Sequence, residues 1–152
     1  MSDELGYPDG IYQYVYRMCF LHSINISASI YYGHRTGGIM GIMLFGSSIN
    51  YWRHPLINSK RRTFDIIVAN ICVPYHIYLS FFTKNKLLCS GTLLLGTSMF
   101  PISIIFNKNK KYKIGAICHC LLHLFVILGA TFTYRDYYLQ NIYQTVLKIK
   151  LD

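Results

Sequence analysis

Apolar residues in this chain come in long runs, and each run closes on a short connector carrying Lys, Arg, Asn or Pro. A helix crossing the roughly 30 Å hydrocarbon layer of a bilayer needs about 20 mostly apolar residues, because each adds 1.5 Å of rise. Five runs meet or approach that length, at about 11–32, 37–52, 64–82, 87–106 and 114–134. The first follows the turn-forming Pro8, Asp9 and Gly10 and is the most polar, with Arg17, His22, Asn25 and three serines. The second ends in Ser47, Ser48, Asn50, Tyr51 and Trp52, and Pro55 stops its continuation. Pro74 and Pro101 fall inside the third and fourth, where membrane helices tolerate proline better than soluble ones do. Beyond Tyr134, the apolar Leu139, Ile142, Tyr143, Val146 and Leu147 recur at helical spacing beside Lys148 and Lys150, the pattern of a helix lying in the interface. The expected fold is all-α: one multi-pass transmembrane bundle over residues 1–152, with five spans and a C-terminal interfacial helix.

Composition sharpens this reading. The chain is 53% hydrophobic and 14% charged, against about 25% charged for soluble domains, which excludes an ordinary soluble globule. Asp3, Glu4, Asp9, Asp136 and Asp152 lie near the ends, so Asp65 is the one carboxylate between residues 11 and 134. A net charge of +9 comes largely from Arg53, Lys60, Arg61 and Arg62 in one connector and Lys108, Lys110, Lys111 and Lys113 in another. That placement marks the cytoplasmic loops of a membrane protein rather than a nucleic-acid surface, and it puts the N-terminus in the cytosol. The lipid bilayer is therefore the expected partner, and nucleic acid is not. The five cysteines sit in apolar segments as small hydrophobes and imply no disulfide framework. The acidic start lacks the positive segment that opens a signal peptide.

An ionisable group within a span costs roughly 2.5–3.5 kcal/mol, so each one asks for a reason. The candidates are Asp65, His119 and His123, with Ser47, Ser48 and Asn50 as companions. Five alternating spans bring the end of the second and the starts of the third and fifth to one membrane face, which predicts a cytosolic-side pocket of Ser48, Asp65, His119 and His123. His119 and His123, four residues apart, project from one stripe of a helix and have the spacing to grip one metal ion. Packing or interhelical hydrogen bonding explains such a pair equally well. Asp65, just after Arg61 and Arg62, also suits a carboxylate at a helix N-terminus. Gly37, Gly38, Gly41 and Gly46 suit close helix contact. His22, Asn25 and Ser29 share a face of the first helix, which either lines the bundle interior or forms an ordinary polar contact stripe. His54 sits in a basic loop, exposed to solvent, and His76 lies at the far end of the third span.

The run from His119 to Ala130 (HCLLHLFVILGA) resembles the last helix of the hemolysin III and progestin/adiponectin receptor families, whose superfamily also holds the alkaline ceramidases. Ser48 through Trp52, followed by Arg61, Arg62, Thr63, Phe64 and Asp65, is similar to that superfamily's serine at the end of one helix and aspartate at the start of the next. The resemblance implies a seven-helix bundle with zinc held by three histidines, activating water against a lipid amide. It assigns His119 and His123 as metal ligands and gives Asp65 and Ser48 catalytic roles. The family's third histidine falls four residues after the serine, where this chain has Trp52, and His54 is two residues too late for the same helix face. About five spans stand where the family has seven. Three function classes follow: a multi-pass membrane protein of unassigned activity with a polar pocket, a zinc-dependent hydrolase of a lipid amide or ester, and a structural or partner-binding membrane subunit.

Overall fold

The computed structural model describes residues 5–8 and 10–151, without the side chains at 146–148, 150 and 151. Asp3, Glu4, Asp9 and Asp152, and the side chains of Val146, Leu147, Lys148 and Lys150, lie outside the described residues. Among the described residues six helices follow one another: α1 Tyr12–Cys19, α2 His22–Tyr31, α3 Arg35–Trp52, α4 Lys60–Ser80, α5 Lys86–Lys108 and α6 Tyr112–Leu151. The fold is all-helical among the described residues; their one β feature is an isolated antiparallel bridge between Leu5 and Leu56. Beside that bridge the Gly6 N–H donates to Pro55 O at 2.7 Å, pinning the N-terminal segment to the α3–α4 connector.

Among the described residues two helices are long and apolar enough to cross a membrane, α5 over Lys86–Lys108 and α6 over Tyr112–Thr145. The expected helix over 11–32 is broken into α1 and α2. Its hydrogen bonds tighten there to an i to i−3 pattern, with Phe20, Leu21, Ser23 and Ile24 donating to Arg17, Met18, Phe20 and Leu21. α4 starts earlier than expected, because Ser59 caps it by accepting from the Arg62 N–H at 3.2 Å. Its first turn therefore holds Lys60, Arg61 and Arg62, which leaves it short of a clean apolar span. The expected interfacial helix is instead a direct continuation of α6. Nothing in residues 130–150 is Gly or Pro, so no residue ends the helix at Tyr134.

α5 and α6 form an antiparallel hairpin with one register from end to end. A Cβ on Gly96 would stand 3.0 Å from the Val126 backbone N, and one on Gly129 would stand 3.0 Å from the Leu93 backbone N. Glycine at both positions lets the backbones come this close. At the far end Asp136 accepts from Asn85 N at 3.0 Å and from Asn85 Nδ2 at 2.7 Å, placing an anion at the N-terminus of α5. α3 lays Gly37 against the Tyr134 ring, Gly38 against Ser29 and Gly41 against Ile26. Large apolar side chains such as Ile39, Ile42, Ile67, Ile71, Ile105 and Ile117 face outward, while His22, Asn25, Ser29, Ser48, His76 and His119 are buried.

Candidate functional site

The last turn of α3, the second turn of α4, the start of α2 and the N-terminal third of α6 meet around one cavity of about 240 Å³. Its lining includes all four residues singled out from sequence: Ser48, Asp65, His119 and His123. Asp65 Oδ1 accepts from Ser47 Oγ at 2.8 Å and from Ser48 Oγ at 2.9 Å. Two hydroxyls therefore orient the carboxylate, and charge-assisted bonds of this kind are roughly twice as strong as neutral ones. Asp65 joins α4 to α3 rather than simply capping its own helix, whose cap is Ser59.

Sequence reasoning cast His22 as part of a polar helix face and missed its place here. Its Nε2 lies 2.9 Å from His123 Nδ1, and the two rings meet edge to face at 5.1 Å. His119 follows at 5.2 Å between ring centroids, so three imidazoles from two helices stand in a row. Trp52 packs against His119 at 4.6 Å on its other side. His22 and His123 are buried, and among the described residues His22 Nδ1 and His123 Nε2 have no hydrogen-bond partner. Leaving such a buried group unpaired costs about 1–3 kcal/mol, so both nitrogens are open to a further polar partner.

The zinc centre implied by the family resemblance can be tested against this arrangement. Two nitrogens on one tetrahedral zinc, each about 2.0–2.1 Å from the metal, stand about 3.3 Å apart. At 2.9 Å the His22 and His123 nitrogens share a proton instead. Among the described residues no group of three or more His, Cys, Asp or Glu side chains is placed to hold a metal ion. The indole of Trp52 occupies the helix face where the family's third imidazole would stand. As arranged, the residues do not fit a three-histidine centre.

The rest of the cavity is apolar. Leu44, Ile66, Ala69, Val73, Phe100 and Val126 are among the lining residues. Ile66, Asn70 and Pro74 of α4 and Phe100 of α5 are exposed on the outside of the bundle, so the cavity opens sideways between these two helices. A second cavity of about 430 Å³ adjoins it toward the basic connectors and shares Asp65, Ile66, Phe100 and His119 with it. Below both, His76 does not reach the cavity: it contacts Cys72 O through Nδ1 at 2.6 Å and Tyr134 OH through Nε2 at 2.5 Å. His54 is exposed, and Cys118 is buried while Cys120 is only partly so. Comparison with protein-family models, curated proteins and solved structures finds no match to this chain.

Proposed function

We propose that the protein is a multi-pass membrane protein that admits an amphipathic lipid sideways into the bundle, its polar group meeting Ser48, Asp65, His119, His123 and His22. One observation carries this reading: a cavity that is polar at its inner end has apolar walls and a lateral mouth between α4 and α5. Apolar side chains on the outside and buried Ser, His and Asn inside support the membrane setting, since a soluble fold arranges these the other way. Five crossings, with α1 and α2 sharing one and the N-terminus in the cytosol, fit the basic connectors at 53–62 and 108–113. A reduced relationship to the ceramidase and adiponectin-receptor superfamily fits the order Ser48, Asp65, His119, His123.

The lipid reading predicts that Ala69→Trp, which fills the wall of the lateral mouth, will abolish labelling by a photoactivatable fatty-acyl lipid in nanodiscs. The unmodified protein will label near residues 66–77. Equal labelling of both proteins overturns the reading.

Zinc-assisted hydrolysis of a lipid amide or ester is a second reading, with Asp65 and Ser48 as its catalytic pair. What supports it is the nearness of His22, an imidazole from α2 in the same row as His119 and His123, although as arranged the three do not form a zinc centre. It requires the His22–His123 hydrogen bond to open. The expected result is near-stoichiometric zinc in the detergent-purified protein, lost in His22→Ala, His119→Ala and His123→Ala alike. Absence of zinc from the unmodified protein removes this reading and leaves the lipid site standing.

A further inference from the structure

The outer cavity differs from the inner one in charge. Arg62 enters its lining from α4 and Lys108 from α5, with Tyr7, Tyr51 and Trp52 beside them. Arg62 is held in place, donating from Nη1 to Ile57 O at 2.9 Å. A guanidinium carries five donor hydrogens in a rigid fork, so this bond and a contact with the Tyr51 hydroxyl position the group and leave further donors for an anion. Among the described residues Asp65 is the single carboxylate lining either cavity, and its Oδ1 is engaged by Ser47 and Ser48. The two cavities together follow α5 from Lys108 to Thr97, about 16 Å along the helix axis.

We propose that the ligand is a lipid bearing a phosphate-type anion, with Arg62 and Lys108 holding the anion in the outer cavity, the rest of its polar head meeting Asp65 and His119 where the two cavities join, and its chain leaving along the apolar walls of the inner cavity to the lateral mouth. This rests on the lipid reading above and narrows it to a class of lipid. Two cations from different helices in the outer cavity, aromatic walls behind them, polar groups where the cavities join and apolar walls beyond match that ligand from end to end. Neutral lipids satisfy the apolar walls and leave the cations unused. Free phosphate satisfies the cations and leaves the apolar walls unused.

Trp52 is the one tryptophan in the chain, is 3% exposed and lines the outer cavity, so its fluorescence reports occupancy there. The test uses the full-length protein in phosphatidylcholine nanodiscs containing small fractions of lysophosphatidic acid or monoacylglycerol with the same brominated chain. The expected result is quenching by the brominated phosphate lipid at a mole fraction on the order of tenfold lower than by the neutral one. Arg62→Gln combined with Lys108→Gln should bring the two curves together, and inorganic phosphate should not displace the lipid. Lys108→Gln alone, on an exposed side chain, should remove part of the preference and guards against misfolding of the double variant. Lys111→Gln with Lys113→Gln, on the same face but outside the cavity lining, should leave the preference intact. Equal quenching by both lipids overturns the proposal while the lipid reading stands. So does displacement by inorganic phosphate, or an equal loss of preference in the Lys111 and Lys113 variant. Absence of quenching by either lipid overturns the lipid reading itself.

Discussion

Gly129→Val will separate α5 from α6 and lower the thermal midpoint of the detergent-purified protein more than a substitution at any glycine with open space around it. A Cβ at 129 would stand 2.7 Å from Leu93 Cγ and 3.0 Å from the Leu93 backbone N. The leucine side chain is buried and its backbone is fixed in a helix, so the strain cannot be relieved by one rotamer change. Overpacking of this kind costs about 1–3 kcal/mol, and valine's two further methyls push toward or past the upper end. Gly129→Ala should lie between valine and the unmodified protein. Gly91→Ala is the internal control: it lies in α5, its Cβ would meet nothing within 4 Å, and it should change stability by no more than about 0.5 kcal/mol. A valine variant that melts with the unmodified protein would mean that the two helices do not approach as closely as Gly96 and Gly129 indicate.

The helices were half legible in the sequence, whereas the close approach at Gly96 and Gly129 was not read from it. Runs of apolar residues bounded by Pro55, by Asn85 and by the lysine-rich 108–113 connector place α3, α4 and α5 to within a few residues, because those boundaries are chemical. α4 begins where Ser59 offers a cap, a signal present in the sequence but overshadowed by the basic residues that follow it. The break between α1 and α2 has no such signal. Neither Gly nor Pro lies near Phe20 and Leu21, and the chain only tightens its hydrogen bonds there. Tyr134, with its aromatic and charged neighbours, resembles a span end, yet no Gly or Pro interrupts the chain there and α6 runs straight through it.

The candidate site follows the same division. Ser48, Asp65, His119 and His123 converge because alternating direction of the helices puts them at one level, which spacing alone predicts. His22 joins them from 101 residues away. The stripe of His22, Asn25 and Ser29 was visible, but nothing local says that α2 turns it toward α6. That orientation depends on Gly38 and Gly41 of α3, which accept Ser29, Asn25 and Ile26 against bare backbone.

Gly37 and Tyr134 should behave as one unit. Tyr134 is fully buried, its hydroxyl meets His76 Nε2, its ring stacks on His34 at 5.1 Å, and the same ring leaves no room for a side chain at 37. A Cβ there would stand 2.5 Å from Tyr134 Cε1. Tyr134→Ala should cost about 3–5 kcal/mol for the lost ring. Stranding His76 should add about 1–3 kcal/mol. Gly37→Ala alone should cost about 1–3 kcal/mol, since the ring has nowhere to retreat. In a Tyr134→Leu background the same alanine should cost almost nothing, because the atoms it strikes are gone. In a Tyr134→Phe background it should still be costly, because phenylalanine keeps Cε1 and Cζ and loses only the hydroxyl. Melting midpoints and urea-resistant fractions of the six variants give the coupling directly, and contacting residues of this kind couple by about 0.5–3 kcal/mol. If Gly37→Ala costs the same beside leucine as beside tyrosine, α3 does not lean on the Tyr134 ring. The lower half of the bundle, including the level at which α2 presents His22 to His123, would then be packed in some other way.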